Sequence, residues 1–250
     1  NGDIYNAAAL RSQLEARGHR YRSDHSDTEV LLHGFKERGE MLVPKLSGMW
    51  AFALLDRRKD RLFLSRARFG QKPLYLSQQG GVFAFASVLR AFKGHRRLQL
   101  SLSASGLRKY CAHGYFPGEH TLYEQVRKLK SGHNLTINLR DFAAHEQRYW
   151  AFSIEPEGAS DSAACERWSD EVRSLLIQSV RRRLVSDVPL GVFLSGGLDS
   201  SAIAAIATSN TQEPIDSFSI GFDDPSFDET SEALAAARVV GSNHQVTKFS

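Results

Sequence analysis

Nine consecutive residues, Phe193-Leu194-Ser195-Gly196-Gly197-Leu198-Asp199-Ser200-Ser201, constrain the fold more than any other stretch of this chain. The apolar run Leu190 to Leu194 enters them as a buried strand would, and Ala202 to Ala207 leaves them as an Ala/Ile-rich helix. Two successive glycines let the backbone approach a ligand with no side chain in the way. The helix behind them offers unpaired N–H groups and the positive end of its dipole. Phosphate is the natural occupant of such a turn. Ser195, Ser200 and Ser201 can add hydroxyl donors, and Asp199 could hold a divalent cation that bridges phosphate oxygens. The turn has neither a Walker lysine nor G-x-G-x-x-G spacing, which disfavours an ordinary P-loop or dinucleotide site. A tight strand-to-helix turn in which Ser and Asp serve only as caps is the plainer reading of the same residues.

The sequence around this turn extends the pattern. Trp168, Val172, Leu175, Leu176, Val180 and Leu184 recur at steps of three and four, and Arg181, Arg182 and Arg183 suit the negative end of that helix. After the turn come an apolar run at Phe218 to Phe222, a helical stretch at Glu229 to Val240 and a strand beginning at Gln245. This β-α-β-α-β order predicts a parallel sheet covered on both faces. Upstream the pattern differs. Ala9, Leu10, Leu14 and Ala16 mark a short helix ending at Gly18. Ser26-Asp27-Thr28-Glu29 is a capping box, with Ser26 as cap and Glu29 reaching back to it, and starts a second helix near Asp27. Met49 to Leu55 with Leu62 to Leu64 predicts a hairpin, Leu74 to Ser77 with Val82 to Ala86 a second, and Asn134 to Leu139 a further strand, in an α+β layered arrangement. Between Ser153 and Ala164 the composition turns to Glu, Pro, Gly, Ser and Asp, as in a linker.

With 250 residues, 42% of them hydrophobic, the chain has material for two buried cores, which excludes disorder and a fibre. The formal charge of +4 is spread thinly, so no basic stripe marks a nucleic-acid surface. No apolar run approaches the roughly 20 residues that cross a bilayer. Two cysteines, Cys111 and Cys165, argue against a disulfide framework and for a reducing compartment, the cytoplasm; both are expected as buried or semi-buried inert thiols. The chain opens at Asn1, directly in a motif, and stops inside a strand-like run, so it reads as an internal piece of a longer protein.

Ser195 to Ser201 after an apolar strand resembles the pyrophosphate loop of ATP pyrophosphatases, which cleave ATP between its α and β phosphates. Asn1-Gly2-Asp3-Ile4-Tyr5-Asn6 resembles the N-G-E-I-Y-N motif of class II glutamine amidotransferases, and Ser26-Asp27-Thr28-Glu29 their second glutamine-binding segment. Leu46 to Ala53, Lys72-Pro73-Leu74-Tyr75 and Ser186 to Val192 are further matches. The two halves in this order are similar to the glutamine-hydrolysing asparagine synthetase family, over practically the whole chain.

The resemblance implies an α+β N-terminal-nucleophile hydrolase sandwich of the αββα type at residues 1–152, a linker at 153–164, and the start of an α/β parallel-sheet ATP pyrophosphatase domain at 165–250, both domains incomplete. It implies glutamine, aspartate and ATP as substrates, with Mg²⁺ as cofactor, and leaves a homodimer open. Asn1 and Gly2 match the oxyanion-hole pair. Asp3 stands where the family usually has Glu, and with Asp27 it would face the glutamine α-amino group. The nucleophilic cysteine belongs to sequence before Asn1, so the chain as given is not expected to hydrolyse glutamine. Leu194 and Ile220 match positions touching adenosine; Ser195, Gly196, Gly197, Asp199 and Ser200 match the pyrophosphate loop, with Asp199 the Mg²⁺ ligand. In the full enzyme, ammonia from the first domain would attack a β-aspartyl-adenylate, releasing AMP and pyrophosphate. Two departures stand out: Ala67 replaces the acid of the family's R-D-x-x-G-x-K-P-L-Y segment, and Val88 that of its A-S-E segment. They keep open a relative acting on a peptide or glycan carboxylate. The nearest rival is a β-lactam synthetase, similar in both halves but without glutaminase function, against which the retained Asn1, Gly2 and Asp27 argue; a non-catalytic paralogue is also compatible with the two halves. The nine histidines show no close metal-ligand spacing and read as solvated or hydrogen-bonded. Tyr149 and Trp150 read as packing at the end of the first domain.

Overall fold

The computed structural model describes residues 1–156, 162–186 and 188–249. Two compact units divide the chain, Asn1–Ile154 and Glu155–Ser250. Of the expected linker, 157–161 lie outside the described residues, as does Asp187 within the Ser186 to Val192 segment.

In the first unit the elements run β1 (Gly2–Ile4), α1 (Ala7–Glu15), α2 (Asp27–Arg38), a 3-10 segment Gly39–Lys45, β2 (Gly48–Asp56), β3 (Arg61–Arg66), β4 (Tyr75–Gln79), β5 (Val82–Ala86), α3 (Arg90–Lys93), α4 (Ala104–His113), β6 (Arg127–Lys128), β7 (His133–Asn138) and β8 (Ala144–Arg148). The strands form two antiparallel sheets, ordered β1-β2-β3-β7-β8 and β5-β4-β6. Strand alternation explains how they stack. Trp50 and Phe63 point to one face of the larger sheet, where Leu10 and Leu14 of α1 and Val30 and Phe35 of α2 bury against them. Their neighbours Ala51 and Leu64 point to the other face, onto Leu74, Leu76 and Phe83 of the smaller sheet. The smaller sheet's outer face, Tyr75, Val82 and Ala84, packs under Phe92, Leu98 and Val126. The layers are therefore helix, sheet, sheet and helix, but the last is only the four-residue α3 and irregular chain.

Both hairpins form where alternation predicts them. Three strands carried no signal of their own: β1 and β6 are three and two residues long, and β8, Ala-His-Glu-Gln-Arg, is an almost wholly exposed edge strand joined through its backbone to β7. The capping box is half realised. Ser26 accepts the Glu29 N–H, but the Glu29 carboxylate passes Ser26 and takes the Ser23 hydroxyl and the N–H groups of Arg22 and Ser23. The Ser23 hydroxyl and those two N–H groups hold its pKa down to about 2.

The second unit contains α5 (Ser162–Arg183), β9 (Gly191–Phe193), α6 (Leu198–Ser209), β10 (Asp216–Phe222), α7 (Thr230–Val240) and β11 (Asn243–Phe249). Helix α5 opens inside the segment expected as linker, so Ser162, Ala163 and Ala164 belong to it. The three strands are parallel, in the order β11-β10-β9. Strands laid down in sequence with right-handed crossovers put both connecting helices on one side of a sheet. Accordingly Val192 and Leu194 pack with Ala204 of α6 and Ala236, Ala237 and Val240 of α7 in a single cluster. The expectation of a sheet covered on both faces fails here: Phe193 is 80% exposed, Ile220 53% and Phe249 69% on the opposite face. The thiol expectation fails too, since Cys111 and Cys165 are both exposed. Cys111 lies on α4, which buries only Gly106, and Cys165 on the first turn of α5, where only Ala164 is buried nearby.

Candidate functional site

In the first unit, Asn1, Gly2 and Asp27 converge on a cleft of about 450 Å³. Strand β1 brings the first two there, because Gly2 pairs with Trp50 and the Asn1 carbonyl accepts the Ala51 N–H at 2.9 Å. Only glycine fits position 2. Its φ is 120°, and a Cβ would stand 2.0 Å from the Met49 carbonyl oxygen. Asp27 comes from the first turn of α2, and its Oδ2 accepts the Ile4 N–H at 3.1 Å, tying the helix end to β1. Asp3 is not brought to the cleft: it is exposed, one residue out of phase with Gly2 and Ile4 along the strand.

Residues outside the matched site positions complete the wall. Thr28 follows Asp27, Trp50 to Ala53 come from β2, and Phe85 and Ser87 come from the end of the second hairpin. Their signal lay in three separate motif segments whose convergence depends on tertiary structure. Arg66 fixes the turn between the sheets, donating to the carbonyls of Lys72, Leu129 and Gly70 at 2.9, 2.6 and 2.6 Å, and this turn carries Leu74 into the cleft. Burial of the guanidinium pulls its pKa down. Tyr149 packs as expected: its phenol donates to the Arg66 carbonyl at 2.8 Å, and burial raises its pKa.

The two missing acids sit in unlike places. Ala67 is fully buried in the cluster beneath α1 and α2, whereas Val88 is 58% exposed next to Ser87. Val88→Glu should therefore shift unfolding free energy by less than about 0.5 kcal/mol in chemical denaturation.

The second unit holds the glycine-rich turn. Leu194 is buried and donates its N–H to the Phe218 carbonyl at 2.9 Å, while α6 begins at Leu198 with Gly197 as cap and Asp199 in its first turn. Ser195 Oγ and Ser200 Oγ lie 3.0 Å apart, and Ser200 also accepts the Ser195 N–H and donates to the Gly197 carbonyl. Beside this turn, on the uncovered sheet face, is a cleft of about 320 Å³ that includes Leu194, Ser195, Ser200 and Ile220. Gly196, Gly197 and Asp199 are in the turn rather than the cleft lining. Phe193, Phe218, Phe222 and Phe227 add an aromatic wall; in the sequence Phe218 and Phe222 read only as an apolar strand run, and Phe227 carried no reading. Asp199 is exposed, and among the described residues no group of three or more His, Cys, Asp or Glu side chains forms a metal cluster. One exposed carboxylate beside hydroxyls fits Mg²⁺, which keeps most of its water and leans on substrate phosphates.

Residues 1–150 match the family model described as "Glutamine amidotransferase domain", and residues 171–250 that described as "Asparagine synthase". Asparagine synthetase (glutamine-hydrolyzing) 3 of Bacillus subtilis is 37% identical over 230 residues, covering 90% of this chain and 36% of that protein. A putative asparagine synthetase (glutamine-hydrolyzing) 2 of Methanocaldococcus jannaschii is 32% identical over 233 residues, covering 92% of this chain and 44% of that one. The chain thus spans less than half the length of these relatives. With its first 150 residues matched throughout, the chain belongs to the glutamine amidotransferase family, in the branch whose amidotransferase domain is followed by an asparagine synthase segment.

Proposed function

We propose that this chain is part of an ATP-dependent, glutamine-using asparagine synthetase. Residues 1–152 form its glutaminase domain, with an N-terminal-nucleophile hydrolase fold, and the start of its ATP pyrophosphatase domain runs to residue 250 from α5, which begins at Ser162 and so shortens the linker expected at 153–164. The observation that carries the reading is the convergence of Asn1, Gly2 and Asp27 on one cleft. The Asn1 amide and the Gly2 N–H are donors suited to the oxyanion of a tetrahedral intermediate, and the Asp27 carboxylate is suited to the glutamine ammonium. Asp3, exposed on the other side of β1, contributes negative charge at the strand rather than a contact.

In the second unit, the aromatic wall with Leu194 and Ile220 takes the adenine ring. Ser195, Gly196, Gly197 and Ser200 take the pyrophosphate at the helix start. Asp199 would hold Mg²⁺, which supplies charge neutralisation on the phosphate oxygens. The carboxylate of aspartate attacks the α phosphorus and pyrophosphate leaves. Ammonia then displaces AMP from the resulting β-aspartyl-adenylate, giving asparagine.

The test uses the full-length protein. Aspartate-dependent ATP–pyrophosphate exchange is expected, falling about tenfold or more in Asp199→Ala, whose exposed side chain leaves folding intact. Asp27→Asn should raise the glutamine KM with little change in ammonia-dependent synthesis. Absence of aspartate-dependent exchange in the wild-type protein sinks the reading.

A further inference from the structure

The link between α1 and α2 brings together two histidines that are 14 residues apart and that no step of the proposed reaction uses. His19 Nδ1 and His33 Nδ1 lie 3.1 Å apart, with ring planes at 74°. Each ring's other nitrogen faces a carboxylate: His19 Nε2 is 3.1 Å from Glu37 Oε2, and His33 Nε2 is 3.5 Å from Glu29 Oε1. Both carboxylates are themselves anchored, Glu37 by Arg17 at 2.8 Å and Glu29 by Arg22 and Ser23. The imidazoles are only 10% and 19% exposed, and the Tyr21 ring covers His33 at 4.6 Å with Arg11 stacked above it.

In the tautomer that donates each Nε2–H to its facing carboxylate, each Nδ1 turns a lone pair toward the other. Two lone pairs at this separation repel unless a cation lies between them. Metal-binding histidines characteristically donate their remote N–H to a carboxylate, an arrangement that His19 has with Glu37 within hydrogen-bond distance and that His33 approaches with Glu29 at 3.5 Å. Two nitrogens bound tetrahedrally at zinc distances stand about 3.3 Å apart, within a few tenths of an ångström of the observed separation.

We propose that His19 and His33 form a binding site for a late first-row divalent cation such as Zn²⁺, ligated through both Nδ1 atoms. Among the described residues no third His, Cys, Asp or Glu joins them, so water or a bound anion completes the shell. Imidazole ligands favour Zn²⁺, Cu²⁺ or Ni²⁺ over Mg²⁺, which separates this site from the one at Asp199. The bound ion fastens the irregular link 18–26 to α2, whose first residue is Asp27.

Calorimetric titration of the chelator-treated protein with ZnCl₂ at neutral pH should show one saturable equivalent. His19→Gln and His33→Gln should each abolish it, and Glu37→Gln should weaken it by about tenfold. His145→Gln, a change to an exposed histidine, should leave it intact. Circular dichroism establishes that each variant is folded. Failure to take up zinc, or uptake that survives both histidine substitutions, overturns the proposal and leaves a shared proton between the rings. None of these readouts depends on glutamine or ATP chemistry.

Discussion

Trp50→Ala is expected to destabilise the first unit by about 3–5 kcal/mol, lowering its midpoint of thermal unfolding by roughly 10 °C. Trp50 is 2% exposed and sits where three kinds of contact meet. Its ring lies in the cluster with Leu10, Leu14, Val30 and Phe35, stacks toward Tyr149 at 6.5 Å, and donates its indole N–H to Ser65 Oγ at 3.0 Å. Ser65 is fully buried, so removing the indole also strands a hydroxyl, a penalty of about 1–3 kcal/mol. Trp50→Phe isolates that part: it keeps much of the packing and loses the hydrogen bond. Adding Ser65→Ala to Trp50→Phe should recover stability, because no polar atom is then left unpaired. Trp50 also pairs with Gly2 in the β1–β2 register and lines the cleft proposed for glutamine, so on that proposal glutamine affinity should fall along with stability. A loss below about 1 kcal/mol in Trp50→Ala would mean the ring is not packed as described.

What the sequence made legible follows from which forces leave a local trace. The apolar runs Met49 to Leu55 and Val82 to Ala86 are imposed by strands that pack on both faces, so they appear in the residues themselves. The Ser26 cap is equally local. Strand β8 leaves no such trace, because an edge strand is held by backbone hydrogen bonds that any side chain permits. The uncovered face of the second unit misled for a related reason: Phe218, Ile220 and Phe222 are as apolar as strand residues covered on both sides, and composition does not record what lies against them. Asn1, Gly2 and Asp27 could be identified as motif residues, but their meeting depends on the Ile4 N–H reaching Asp27 across the unit. Asp3 shows the converse. Its motif match placed it near the substrate, and the two-residue period of the strand turned it away. The pairing of His19 with His33 also lay out of reach, since it requires the link after α1 to fold back on α2.

Gly196→Ala should be the most damaging single change in the second unit, whereas Gly197→Ala, one residue on, should be mild for folding. At Gly196 φ is 78°, and a Cβ would lie 2.5 Å from the Glu232 carbonyl carbon and 2.7 Å from the Ala233 nitrogen of α7. Neither is a flexible side-chain end. The turn must move off the helix or adopt a different backbone, at a cost on the order of 3 kcal/mol. Either movement breaks the register that holds Ser195 and Ser200 together, and in a turn proposed to bind phosphate a displacement of about 1 Å is worth about a hundredfold in rate. At Gly197, φ is −67° and the nearest atom to an added Cβ is Ser195 Oγ at 3.4 Å, an ordinary contact. The pair of variants therefore separates two reasons for the double glycine. Close packing of the turn on α7 demands the first, so Gly196→Ala should lower both stability and ATP–pyrophosphate exchange. If a phosphate approaches the second, Gly197→Ala should leave unfolding unchanged and still weaken ATP binding. Equal stability and equal exchange in Gly196→Ala and wild type would refute the packing of this turn against α7, and with it the placement of the serine pair.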